Sequence, residues 1–133
     1  MNARMRTMAA VVLGSLIAAS GIAYAHTVEY PTEISVARRP AGAVERGTVV
    51  HIYGRLTSPK HACVVNSKIQ LIRVGVGVVD RTRTDERGRY SFDRKVRRTS
   101  RWRVRFPGKI LNAVHPHSHT CAASSAGFRI RVV

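Results

Sequence analysis

Residues 101–106 read Arg-Trp-Arg-Val-Arg-Phe, charged and apolar side chains strictly in turn. A period of two belongs to an extended strand with one buried face, because successive side chains point to opposite sides. Trp102, Val104 and Phe106 are expected inward, and Arg101, Arg103 and Arg105 outward. The same rule recurs along the chain. In 47–58, Val50, Ile52, Gly54 and Leu56 share one face, and the glycine marks close packing or a bulge. In 67–75, Ile69 and Leu71 point inward. Residues 78–85 give a further strand, and Tyr90 and Phe92 begin the next. In 127–133, Phe128, Ile130 and Val132 alternate with Arg129 and Arg131. A short first strand is expected near 32–38, where Ile34 and Val36 alternate with Glu33, Ser35 and Ala37.

From residue 26 onward no segment keeps a helical period over three turns. Seven short strands separated by turn signals describe an all-β, antiparallel, Ig-like sandwich. Between the fourth and fifth strands, Asp85-Glu86-Arg87-Gly88 reads as a tight hairpin. Asp85 suits the first position of a type I turn, its carboxylate bonding N–H groups ahead, and Gly88 suits the left-handed position that closes it. Residues 108–126 are long for a connection between neighbouring strands, which leaves room for an extra strand or turn near Ile110 and Leu111.

The first 25 residues change the picture. Arg4 and Arg6 precede an apolar run from Val11 to Ile22, and Ala23-Tyr24-Ala25 forms a small-x-small site. That is the pattern of a secretory signal peptide, with cleavage leaving His26 first. The alternative is a membrane anchor, but the run is short and interrupted for a span of about 20 residues. The domains are then a signal at 1–25 and one β-domain at 26–133, with no transmembrane segment in the mature chain. Cys63 and Cys121 remain, and an even count in an exported chain points to one disulfide.

Charge adds a further constraint. Lysine and arginine total 23 against 7 aspartate and glutamate, and arginine supplies nineteen of the 23. Such a field attracts polyanions, and guanidinium groups hold phosphate and carboxylate bidentately. Biased composition and a merely solvated face would give the same count, so charge alone does not choose between them.

Several stretches in order resemble a known group: "YGRLTS", a cysteine, "KIQLIRV", "TRTDERGRYSF", "WRVRFPG", a second cysteine and "FRIRVV". Together they are similar to secreted bacterial domains of the carboxypeptidase-regulatory-like type, with Thr84-Asp85-x-x-Gly88-x-Tyr90-x-Phe92 the most specific part. The resemblance covers roughly 47–133. It implies a seven-stranded transthyretin-like (prealbumin-like) sandwich and a non-enzymatic module. Collagen-adhesin relatives carry a lysine–asparagine crosslink near the first strand. Here the first lysine is Lys60, after the second strand, so that crosslink is not expected.

Two candidate sites follow. Arg101, Arg103 and Arg105, with Arg129 and Arg131 on a neighbouring strand, would form a cationic sheet face for a cell-envelope polyanion, anionic lipid or glycan. His115, His117 and His119 stand at alternate positions and could present a zinc or copper site, against the simpler reading of a polar loop. No cofactor is otherwise implied. No recognition helix or zinc-finger spacing suggests sequence-specific nucleic-acid reading. No nucleophile-elbow, zincin or P-loop pattern suggests an enzyme. The expectation is a monomeric, secreted or envelope-associated binding or structural module.

Overall fold

The computed structural model describes residues 26–113 and 117–133. The signal-peptide expectation at 1–25 and His115 lie outside them. The strands are β1 (His26–Tyr30), β2 (Glu33–Ile34), β3 (Ala37–Arg39), β4 (Thr48–Thr57), β5 (Lys68–Arg73), β6 (Gly77–Arg83), β7 (Arg89–Val96), β8 (Ser100–Phe106), β9 (Lys109–Asn112), β10 (His117–Cys121) and β11 (Ser124–Ile130). One short helix, α1 (His61–Val64), follows β4. Among the described residues no helix is long and apolar enough to cross a membrane.

Two larger sheets carry the apolar faces that the alternation marks. One runs β11-β8-β5-β6; in the other, β4 pairs with β2, β3 and β7. Val50, Ile52 and Leu56 of β4 and Tyr90, Phe92 and Val96 of β7 share one buried cluster with Ile69 and Leu71 of β5 and Trp102, Val104 and Phe106 of β8. Fully burying side chains of this size stabilises by about 1.5–3 kcal/mol each. The expected first strand is present as two pieces, β2 and β3, separated at Ser35–Val36. Helix α1 replaces the loop expected around Cys63. A third small sheet, β1-β10-β9, accounts for the long 108–126 segment.

Gly54 explains the break in the first strand. A side chain there would run into the Ser35 carbonyl and the Tyr90 hydroxyl. Without one, Tyr90 Oη donates to the Ser35 carbonyl. Burial pushes the Tyr90 phenol pKa up, so the hydroxyl keeps its proton as donor.

The Asp85–Gly88 segment has the turn chemistry its sequence predicts, but it joins no paired strands. β6 lies in one sheet and β7 pairs with β4 in the other, so the turn is a corner between layers rather than a hairpin. Asp85 Oδ1 accepts the N–H groups of Arg87 and Arg89 at 2.8 and 2.9 Å. Gly88, at φ +77°, donates its N–H to the Asp85 carbonyl at 3.0 Å. It also accepts from the Leu56 N–H at 2.8 Å, and a side chain here would strike Leu56 and Val64. The corner is seated against β4 and α1, which is why the chain turns across instead of folding back on β6.

Cys63 and Cys121 form a disulfide with Cα atoms 5.7 Å apart, and both residues are buried. It bonds α1 to the end of β10. Lys109 of β9 adds a second tie, donating to the carbonyls of Ala62 and Val65 at 3.0 Å each.

Two outcomes follow. The bridge spans 58 residues, so in the chain-entropy account the Cys63→Ala, Cys121→Ala variant loses about 4 kcal/mol in equilibrium denaturation; an unchanged midpoint would remove the bridge from the stability of the fold. The Asp85 carboxyl is held below its ordinary pKa, chiefly by the Arg89 backbone N–H, then by the Arg87 N–H and the Arg89 side chain. A depressed pKa contributes stability that is full above the usual carboxylate range and is lost as pH falls through the folded value. The melting-temperature advantage of the native chain over Asp85→Asn should therefore be largest near neutrality and shrink in acid. A pH-independent difference would contradict this.

Candidate anion-binding face

The outward side of the β11-β8-β5-β6 sheet is built by register. Arg101 lies opposite Arg129, Arg103 opposite Gly127 and Arg105 opposite Ser125. On the other flank, Arg103 lies opposite Ile72 and Arg105 opposite Gln70. Directly paired residues share a face. The outward row therefore continues from Gln70 to Arg81 and, one step along, from Lys68 to Arg83.

The face holds Arg101, Arg103, Arg105 and Arg129, as the alternation anticipates, and also Lys68, Arg81 and Arg83, which it does not single out. The Arg81-Thr82-Arg83 pattern repeats the signal seen in β8. What could not be read from it is that β5 would lie between the two arginine strands. Arg131 departs from expectation. β11 ends at Ile130, opposite Ser100, the first residue of β8. Beyond that point β8 offers no partner, so the chain turns to the Val44 segment: the Val44 N–H donates to the Arg131 carbonyl at 2.9 Å, and Val132 bridges Val44. Arg131 is exposed but sits past the end of the ladder.

No acidic residue occupies an outward position on these four strands; Asp80, on β6, registers with the inward Leu71. Among the described residues, none of the face's cations takes part in an ion pair. Arg83 donates to the Asn66 carbonyl at 3.0 Å. The outer face of the opposite sheet differs. There His51 Nδ1 lies 2.6 Å from Asp93 Oδ1, His51 stacks on Tyr53, and Arg39 lies over the Tyr53 ring at 4.9 Å. That side carries an outward carboxylate, Asp93, which the first face lacks, although Arg55 and Arg89 also lie opposite each other there.

The β5–β6 tip borders the basic face. Val74 and Val76 at this tip are 55% and 69% exposed, and Val78 stands in the same outward row as Ile72 and Arg103. An apolar tip thus continues a row of cations.

The histidine candidates fall elsewhere. His117 and His119 lie on β10; the His119 ring centroid is 6.2 Å from that of Tyr30 at the edge of the core. β1 runs parallel to β10 and sets the His26 backbone in register with His117. Among the described residues no three histidine, cysteine, aspartate or glutamate side chains gather as a metal site. Cys121, the nearest further ligand type along the chain, is committed to the disulfide.

No protein-family model matches the chain, and no curated protein matches it.

Proposed function

We propose that this is a non-enzymatic, secreted binding module of the prealbumin-like, carboxypeptidase-regulatory-like type, and that its basic sheet face docks on the anionic lipid surface of a cell envelope. The observation that carries this is the segregation of charge. Seven cations stand on one side of one sheet, with no carboxylate among them at outward positions. Like charges directly opposite each other, as Arg101 and Arg129 are, cost stability unless an anion lies over them. A bilayer is favoured over a soluble polymer by the valine tip beside the face, since an exposed apolar tip gains by entering the headgroup boundary while the cations meet phosphates. The disulfide favours an oxidising compartment, in keeping with export. The Thr84-Asp85-x-x-Gly88 corner favours the family resemblance.

A cation near an anionic surface contributes about 1 kcal/mol, so Arg103→Ala with Arg129→Ala should weaken binding to phosphatidylglycerol vesicles roughly thirtyfold at low salt. Co-sedimentation measures it. Native binding should fall as salt rises and be absent on phosphatidylcholine, and Val76→Asp should weaken it at every salt concentration. Equal binding to both lipids, or an unaffected double variant, would sink the proposal. Retention on heparin without vesicle binding would move the partner to a soluble polyanion.

One observation favours a second reading, copper or zinc binding at the histidine segment. Cleavage after Ala25 would place a free amine on His26, whose backbone neighbours His117 in the parallel ladder. An amine and imidazoles are good copper ligands. Copper titration followed by visible absorption should then show one tight site that is lost in His117→Ala and in a chain with an extra residue ahead of His26. Undiminished binding by both variants would rule this out.

A further inference from the structure

Two arginines stand where the alternation calls for core residues. Arg73 registers with Trp102 and Arg94 registers with Val50, so both lie on the inward sides of their sheets. They belong to opposite sheets, and both are half-buried. At this end the layers part, leaving a cavity of about 270 Å³ lined by Arg73, Arg94, Lys95, Arg97, Arg98 and Trp102, among others. Among the described residues no carboxylate lines it. Among the described residues neither Arg73 nor Arg94 takes part in an ion pair. Half-removing a cation from water is costly unless a counter-charge is supplied.

A second observation points the same way. The Trp102 indole N–H is buried and has no hydrogen-bond partner among the described residues. Buried donors are almost always satisfied. The Arg73 guanidinium lies over the indole, 5.9 Å from the ring centroid, so a cation of the cavity wall and the unsatisfied donor belong to neighbouring side chains. The wall is thus an excess of donors around a small space.

We propose that this end cavity binds a single phosphate-type oxyanion, gripped between Arg73 and Arg94. Guanidinium groups hold phosphate bidentately. Four arginines and an indole offer more donors than the two oxygens of a carboxylate accept, whereas a phosphomonoester brings three acceptor oxygens and close to two charges. The cavity falls near the small end of ligand pockets, which begin at about 300 Å³. It suits a phosphate on a small group rather than a large ligand. The site is separate from the outward face, because Arg73 and Arg94 stand on the other side of their sheets from Arg103 and its neighbours.

The chain has one tryptophan, Trp102, so fluorescence excited at the red edge, beyond tyrosine absorption, reports on this residue. The purified protein is titrated with inorganic phosphate, chloride being exchanged to hold ionic strength constant, and separately with phosphatidic acid vesicles. A saturable change is expected, weakened roughly tenfold or more in Arg73→Gln and in Arg94→Gln; with free phosphate, where the sheet face is not engaged by a membrane, it is retained in Arg103→Gln. Arg94→Lys keeps the charge but loses the fork; it should bind more weakly too, and it replaces Arg94→Gln if that variant does not fold. A response to free phosphate assigns the site to soluble phosphates. A response only to phosphatidic acid assigns it to a lipid headgroup. No saturable response to either, a response undiminished in Arg73→Gln, or a phosphate titration weakened equally by Arg103→Gln overturns the proposal. Vesicle binding lost in the Arg103→Ala, Arg129→Ala variant while the phosphate titration persists would separate this cavity from the sheet face.

Discussion

The four residues of α1 hold the molecule's layers to one another. A helix this short cannot satisfy its own carbonyls. Other elements supply the donors. Lys109 from β9 takes Ala62 and Val65, Ser67 Oγ takes Cys63 at 2.6 Å, and Thr84 Oγ1 takes Val64. Thr84 in turn accepts the Ser67 N–H at 2.8 Å, and both residues are buried. The disulfide leaves the same helix for β10. The corner after β6 and the small third sheet are therefore fastened at one point, against the end of β4. Unmaking the Ser67 or the Thr84 bond would take a side-chain donor from the carbonyl of a buried residue, at a cost of about 1–3 kcal/mol.

With that end closed, charge is sorted by the pleat. Each strand that buries every second side chain must put its remaining residues outward, and in β6 and β8 several of those residues are arginine. Register then turns strand patterns into a surface: β5 brings β6 alongside β8, and β11 flanks β8 from the other side. The opposite sheet faces outward with histidine, tyrosine and aspartate in mutual contact. One sheet thus carries an outward carboxylate paired with a histidine, and the other carries outward cations with no carboxylate among them. The open end of the sandwich adds a third environment, where Arg73 and Arg94 intrude on the core side.

Much of this was legible along the chain. The inward set of β4, β5, β7 and β8 follows from period-two alternation, because apolar side chains on a pleated strand have only one dry side to choose. Asp85 and Gly88 announce their turn through local chemistry alone. Cys63 and Cys121 could be paired by count, there being no other cysteine to choose. Arg101, Arg103, Arg105 and Arg129 were placed outward for the same reason that Trp102 was placed inward.

What the order of residues could not give is anything that depends on which strands are neighbours. Pairing between distant strands is decided by long-range packing, so the corner at Asp85 looks like a hairpin until β7 is seen to join β4. Lys68, Arg81 and Arg83 join the basic face only because β5 lies between β6 and β8. Arg131 leaves it because β8 begins at Ser100, opposite Ile130, and offers nothing beyond that pair. Arg73 and Arg94 fall at inward positions of their strands' alternation, but only the meeting of two sheets brings both to one cavity beside Trp102. The sequence by itself determined which side of each strand is dry; the tertiary structure decided which sides meet, since register is set by the packing of segments that are far apart along the chain.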